Sequence, residues 1–193
     1  MDQYGYPDDS CVCHSIRPII DQLIDLAPED SIFVESGCYL GNTTKHFIEK
    51  LLLSKKKFNY FAIDNWKLDN VTIHHDDNLQ FFKDALGELV KHVNIICSDA
   101  LEAISQFKDN SVFFVFLDDS HIYDHVVKQI PMWMPKMKDY SVLAGDDYYC
   151  DGVKLAAQKH FNIYDIKELY GGAGFLVEHP KNKIRSLENE LVL

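Results

Sequence analysis

Two acidic clusters, Asp118-Asp119-Ser120-His121 and Gly145-Asp146-Asp147-Tyr148, carry the residue types most suited to chemistry. Each follows a short apolar run, Val112 to Leu117 and Val142 to Ala144. Adjacent parallel strands lie roughly 4.8 Å apart, so acids that end two neighbouring strands converge on one point. Carboxylates that close repel one another and do not all stay ionised without a cation between them. Oxygen-only donors favour a hard divalent ion, Mg²⁺ first and then Mn²⁺ or Ca²⁺, with waters and substrate oxygens completing the shell. His121 adds a side chain of the type that exchanges protons near neutral pH. Its structural alternative is a helix-start residue bound to backbone. Asp119 reads as a support for the cluster as much as a member of it.

A second constellation lies nearer the N-terminus. The run Ile32-Phe33-Val34 ends at Glu35 and is followed by Ser36-Gly37-Cys38-Tyr39-Leu40-Gly41-Asn42-Thr43. Glycines in a strand-to-helix turn permit positive φ and a close approach of ligand to backbone. The dinucleotide fingerprint needs three glycines as GxGxxG, whereas this turn has only GxxxG. The loop is therefore wider, and the acid before it would repel a phosphate but suit a ligand carrying a positive charge. Asp64 ends the next apolar run, where a carboxylate can accept both hydroxyls of a ribose.

The elements that must position these residues follow a repeating pattern. Ser15 to Leu26 has the apolar spacing of an amphipathic helix, and the N-terminal helical region is assigned to 15–30. Strands are expected at Ile32–Val34, Tyr60–Ile63, Val93–Cys97, Val112–Leu117 and Val142–Ala144, and they end at Glu35, Asp64, Asp99, Asp118 and Asp146. Helices are expected from near Asn42, over Asn78–Val90, over Ala100–Phe107 and over Gly152–Phe161. Alternation of strand and helix with near-continuous apolar strands implies right-handed crossovers and a parallel sheet covered on both faces. Ligands of such sheets sit beyond the carboxyl ends of the strands. For Asp99, capping of the following helix is at least as good a reading as ligand contact. Tyr164 to Leu169 and Phe175 to Val177, separated by glycines, read as an antiparallel hairpin. The expected fold is α/β: a Rossmann-like seven-stranded, mostly parallel sheet with one antiparallel strand and helices on both faces. The chain is read as one domain over 1–193, with an irregular lead-in at 1–14, a core sheet over 31–180 and a tail at 181–193.

The stretch from Val34 to Thr43 resembles motif I of class I S-adenosylmethionine-dependent methyltransferases. Asp64 matches the ribose-binding acid of that family, and Ser98-Asp99 resembles its adenine-contacting motif. The resemblance implies cofactor contacts from Glu35, Gly37, Tyr39, Gly41, Thr43, Asp64, Ser98, Asp99 and Asp118, with Trp66 either stacking on adenine or packing in the core. Phe116 to His121 together with Leu143 to Asp147 is similar to the metal-dependent O-methyltransferases of the catechol and macrolide-sugar type. Tyr123, Tyr148 and the helix from Gly152 to Ala157 fit the branch with an Asp-x-Asp-His-x-Tyr signature. This resemblance implies Asp118, Asp146 and Asp147 as metal ligands and S-adenosylmethionine with Mg²⁺ as cofactors. His121 stands where the catechol enzymes carry a catalytic lysine, and a histidine there is the expected base. The activity implied is in-line methyl transfer to a small-molecule hydroxyl of a diol, sugar or phenol.

Composition narrows the partners. The chain has 193 residues, 30 acids against 19 bases and a net charge of −11, which argues against a partner made of nucleic-acid backbone. No Asn/Asp-Pro-Pro-aromatic motif for a flipped base follows the fourth strand. Hydrophobic residues at 47% are enough to build a core without disulfides or metal. No apolar run approaches the ~18 residues of a membrane span, and the N-terminus lacks the basic and apolar segments of a signal peptide. The five cysteines suggest a cytoplasmic protein without structural disulfides. A small-molecule acceptor, no nucleic acid and no membrane are therefore expected, with homo-oligomerisation left open. Cys11-Val12-Cys13-His14 has no second ligand pair beside it, and the adjacent residues His74-His75-Asp76-Asp77 on one loop rarely share an ion, so both are weaker metal candidates. Trp133, among Met132, Met134 and Met137, is expected to pack a helix against the sheet. Residues 1–14, the 65–77 loop or a partner subunit are candidates to close the acceptor pocket. Two alternatives stand beside the methyltransferase reading: a non-catalytic S-adenosylmethionine-binding protein, which would not need the acid cluster, and, within enzymes, an NAD-dependent oxidoreductase, which would need the missing glycine.

Overall fold

The run Val112–Leu117 is six apolar residues long and all six are buried, which fixes it as the centre of the sheet. The computed structural model describes residues 16–67 and 78–178. Among these residues the strands are β1 (Ser31–Ser36), β2 (Phe58–Asp64), β3 (Val93–Cys97), β4 (Val112–Leu117), β5 (Met137–Asp146), β6 (Lys167–Leu169) and β7 (Gly174–Glu178). They form one sheet in the order β3-β2-β1-β4-β5-β7-β6. The first five run parallel, and β7 is antiparallel to both β5 and β6. This is the expected seven-stranded sheet with one reversed strand.

The helices are α1 (Ile20–Leu26), α2 (Asn42–Ser54), α3 (Asn78–Leu86), α4 (Ala100–Ala103), α5 (Tyr123–Trp133) and α6 (Asp151–His160). Alternate residues of β4 face opposite layers. Phe114 and Phe116 pack with Ile20, Leu23, Phe47 and Leu51 of α1 and α2. Val115 and Leu117 pack with Ile130, Trp133 and Ala156 of α5 and α6. Trp133 is fully buried and packs in one cluster with Val34, Val115 and Leu143 of the strands, so it joins helix to sheet as expected.

The chain runs outward from β1 to β3 and then returns across β1 to place β4 on its other side. That reversal opens a crevice at the carboxyl ends of β1 and β4, the usual ligand position in such sheets. Register levels the relevant residues. Ser36 pairs with Ile63 and Leu117, and Leu117 pairs with Gly145. One residue further along, Gly37, Asp64, Asp118 and Asp146 therefore share one edge.

Several boundaries differ from the sequence reading. The N-terminal helix is short: a 3-10 turn over Arg17–Ile19 leads into α1, which ends at Leu26. Ala27 is extended because it precedes Pro28, and Lys56 Nζ donates to the carbonyls of Ile24, Asp25 and Ala27. The helix expected over Asn78–Val90 stops at Leu86, since Gly87 has φ 53° and the chain tightens into a 3-10 helix over Gly87–His92. The one expected over Ala100–Phe107 is four residues of α4 followed by a 3-10 turn over Ile104–Gln106. Strand β5 begins five residues before Val142, because a bulge at Tyr140 (φ 65°) interrupts the apolar pattern. No described helix is long and apolar enough to cross a membrane. Cys11-Val12-Cys13-His14, His74-His75-Asp76-Asp77, most of the 65–77 loop and the 181–193 tail lie outside the described residues.

Candidate active site

The glycine turn is built against the end of β4. Gly37 has φ 87°, and a Cβ there would sit 2.2 Å from the Asp118 carbonyl oxygen. Asp118 N–H in turn donates to Ser36 O at 2.7 Å. Gly41 has φ 84°, and its Cβ would lie 2.8 Å from the Phe82 ring. Both glycines are thus demanded by packing as well as by backbone conformation.

Asp64 holds the turn from β2. Its Oδ2 accepts from Cys38 N–H at 2.8 Å and from Tyr39 N–H at 2.9 Å, and its Oδ1 accepts from Trp66 N–H at 2.7 Å. A carboxylate offers about four acceptor sites, so capacity remains for a ligand hydroxyl. Tyr39 itself has φ 44° and is about one-third exposed at the rim. Thr43 is buried in the first turn of α2.

Four expected cofactor residues have other contacts here. Trp66 is 7% exposed, packs 5.1 Å from Phe82, and donates Nε1–H to Tyr39 O. Of its two readings, core packing is the one observed, because the indole faces an apolar cluster with Cys38, Ala62 and Leu86. Asp99 caps α4 by accepting Leu101 N–H at 2.9 Å, and neighbouring Ser98 donates N–H to Asp64 O. Glu35 does not present its carboxyl to the crevice: it is 1% exposed. Its Oε2 accepts from Thr44 Oγ1 at 2.5 Å and from Tyr60 OH at 2.6 Å. Burial pushes its carboxyl up from 4.5 to about 7, with the two hydroxyl donors opposing that rise.

The second half of the site comes from β4 and β5. Carboxylate oxygens of Asp118, Asp146 and Asp147 all lie within 4.8 Å of one another. Burial holds the Asp118 carboxyl well above the usual range, reinforced by the charges of Asp146, Glu35, Asp147 and Asp119. Asp147 has φ 52°, an uncommon conformation for a non-glycine residue. It is also bonded by His121 Nε2 and by the Tyr149 hydroxyl, whose pKa that bond pushes up to about 12. A small opening at this edge is lined by Asp118, Ser120, His121, Asp146 and Asp147, with Val126, Val153 and Phe175 as its apolar wall. The N-terminus of α6 presses on the His121 segment so closely that a Cβ on Gly152 would lie 2.1 Å from His121 O. Tyr123 is partly exposed, whereas Tyr148 is buried against Phe175.

Asp119 turns away from the cluster toward α5, where His125 and Gln129 bond its Oδ2. That bond raises the His125 pKa, against the opposing effect of burial. The sequence reading did not single out Ser36, Thr44, Tyr60, His125, Gln129 or Tyr149. The legible signal was Gln129, a polar residue within the buried stripe Val126, Gln129, Ile130 and Trp133 of α5.

A switch-point crevice with a glycine turn, a strand-end acid and no dinucleotide fingerprint agrees with a class I S-adenosylmethionine-dependent methyltransferase, the class that the family match and the structural neighbours support. The profile described as a methyltransferase domain matches residues 34–148, and the chain belongs to that family. Solved structures share the fold at low identity. The O-methyltransferase NovP is 15% identical, with a TM-score of 0.66 over 86% of this chain and 78% of its own. CalS11, a TDP-rhamnose 3'-O-methyltransferase of calicheamicin biosynthesis, is 13% identical, with a TM-score of 0.65 over 86% of this chain and 77% of its own. An rRNA methylase from Streptococcus thermophilus is 14% identical, with a TM-score of 0.59 over 85% of this chain and 94% of its own. No curated protein sequence matches this one significantly.

Proposed function

We propose that the protein transfers the methyl group of S-adenosylmethionine to a hydroxyl oxygen of a small molecule, assisted by a divalent cation at Asp118, Asp146 and Asp147. The observation that carries this reading is the convergence of those three carboxylates at the switch-point edge. The donor set fits such an ion: it is all oxygen, it spans two strand ends, and the Asp118 carboxyl is raised first by burial and then by the neighbouring negative charges that a cation would offset. Mg²⁺ is the first candidate, then Mn²⁺ or Ca²⁺. An ion there supplies positive charge that lowers the pKa of a nearby hydroxyl.

The donor side also fits. The Gly37–Gly41 turn offers backbone at close approach, Asp64 retains acceptor capacity for a ribose hydroxyl, and Ser98-Asp99 flanks the adenine end. Glu35, inward and near neutrality, acts on the crevice through its field rather than by contact.

The methyl carbon leaves sulfur and bonds to the acceptor oxygen. Sulfur keeps the electron pair, and the hydroxyl proton passes to a base. His121 is that base. A carboxylate only accepts hydrogen bonds, so the Nε2 facing Asp147 carries the proton and Nδ1 carries the free lone pair. Asp147 holds the ring, and the α6 terminus packs against the His121 backbone. CalS11, a TDP-rhamnose 3'-O-methyltransferase, acts on a sugar, and that likeness favours a diol or sugar acceptor here. The net charge of −11 weighs against an RNA acceptor.

Calorimetry with S-adenosylmethionine, with and without Mg²⁺, followed by a screen of sugars, diols and catechols, tests the reading. Donor binding and Mg²⁺-dependent turnover of at least one acceptor class are expected. Donor binding with turnover indifferent to divalent ions would remove the cation from the account.

A further inference from the structure

Asp119 directly follows Asp118, yet two groups on α5 hold it out of the acid cluster. His125 Nε2 lies 3.0 Å from its Oδ2, and the carboxamide nitrogen of Gln129 lies 3.2 Å from the same atom. That nitrogen also donates to Ser36 Oγ at 3.1 Å. Because a carboxylate has no proton to give, the amide must turn its nitrogen, not its oxygen, toward Asp119. Gln129 Oε1 is then left fully buried without a partner. A buried unpaired carbonyl lowers stability, and an apolar residue in this stripe of α5 would avoid the loss. The amide therefore has a task that packing does not explain.

Its two partners define that task. Ser36 ends β1, where the glycine turn begins, and Asp119 follows the turn that carries Asp118. The backbones of these turns already touch through Asp118 N–H and Ser36 O. That contact, and the packing of Gly37 against the Asp118 carbonyl and the Asp119 Cα, bring the two turns together. Pinning the Asp119 side chain holds this turn against β1 and so keeps the direction of the Asp118 carboxyl. We infer that Gln129 is a positioning residue for the divalent-cation site: it ties Asp119 to Ser36 so that Asp118 faces Asp146 and Asp147. The inference rests on the cation-assisted reading above.

The test is Mn²⁺ titration of the protein without donor or acceptor, with free Mn²⁺ read by electron paramagnetic resonance. The proteins are wild type, Gln129→Met, Ser36→Ala and Ile130→Val, each first checked by thermal unfolding. Residues that orient metal ligands typically cost 10–100-fold in affinity when replaced, and about that loss is expected for Gln129→Met. Ser36→Ala should weaken binding in the same direction. Ile130→Val trims a buried side chain on the same helix without touching Asp119 and should bind like wild type. Wild-type affinity in Gln129→Met overturns the inference. So does an equal loss in Ile130→Val, which would mean that any loosening of α5 suffices. If Gln129→Met does not fold, unchanged affinity in Ser36→Ala overturns it. A wild type that binds no Mn²⁺ overturns the cation reading itself.

Discussion

Replacing Glu35 by glutamine should stabilise the protein selectively at high pH. The side chain is 1% exposed, and its carboxyl is pushed from 4.5 up to about 7, chiefly by burial. The folded state therefore keeps a proton that the unfolded chain releases above about 4.5. Stability that is full below that value falls as pH rises and is lost by the time pH passes 7. The gap between the two values corresponds to about 3 kcal/mol. Glutamine cannot ionise, and its amide oxygen can still accept from Thr44 and Tyr60. The stability difference between Glu35→Gln and wild type should thus move in favour of the variant by about 2.5 kcal/mol between pH 5 and pH 8. Urea unfolding at one-unit steps, with chelator and no donor, measures it. Carboxyls common to both proteins cancel in the difference to first order. Parallel stability–pH curves would refute the reasoning and would mean that Glu35 is hydrated or paired in solution.

Three further outcomes follow from the site. His121→Ala should lower kcat about 10²–10⁴-fold with little change in donor affinity, read by steady-state kinetics and calorimetry; an equal fall in donor affinity would contradict the base assignment. Asp64→Ala should weaken S-adenosylmethionine binding about 10–100-fold, the equivalent of one hydrogen bond to a charged group at about 1.5–3 kcal/mol. It should also lower the unfolding temperature, since two backbone N–H groups of the glycine turn, Cys38 and Tyr39, and that of Trp66 lose their acceptor. Gly37→Ala should cost about 1–3 kcal/mol or more in urea unfolding, because φ 87° and the Asp118 carbonyl both oppose a Cβ; a neutral effect would mean that the two turns separate easily.

Residues that obey a local rule were legible in the sequence. The all-apolar β4 announced a strand buried on both faces, and the glycine-separated pair at the C-terminus announced the reversed β7. Strand ends carried their acids into one edge because parallel register aligns them. What stayed hidden depended on tertiary context. The α5–Asp119 contact joins residues on a strand end and a helix, and no spacing rule predicts which way Asp119 turns. Glu35 looked like a ligand because it precedes the glycine turn, yet alternation along β1 sends it inward, where Thr44 and Tyr60 wait on α2 and β2. Trp66 read equally as a stacking or a core residue, and its positive φ and the Tyr39 carbonyl fold it into the cluster with Phe82. The start of β5 was masked by the bulge at Tyr140, which breaks the period on which strand recognition depends.

The central claim, cation-assisted methyl transfer from S-adenosylmethionine, is met most directly by following labelled methyl from the donor into a panel of sugar, diol and phenol acceptors. Transfer in Mg²⁺ that is abolished by chelator, and also by Asp146→Asn, is the predicted result. Transfer that proceeds equally in chelator and in the Asp146→Asn variant would contradict it.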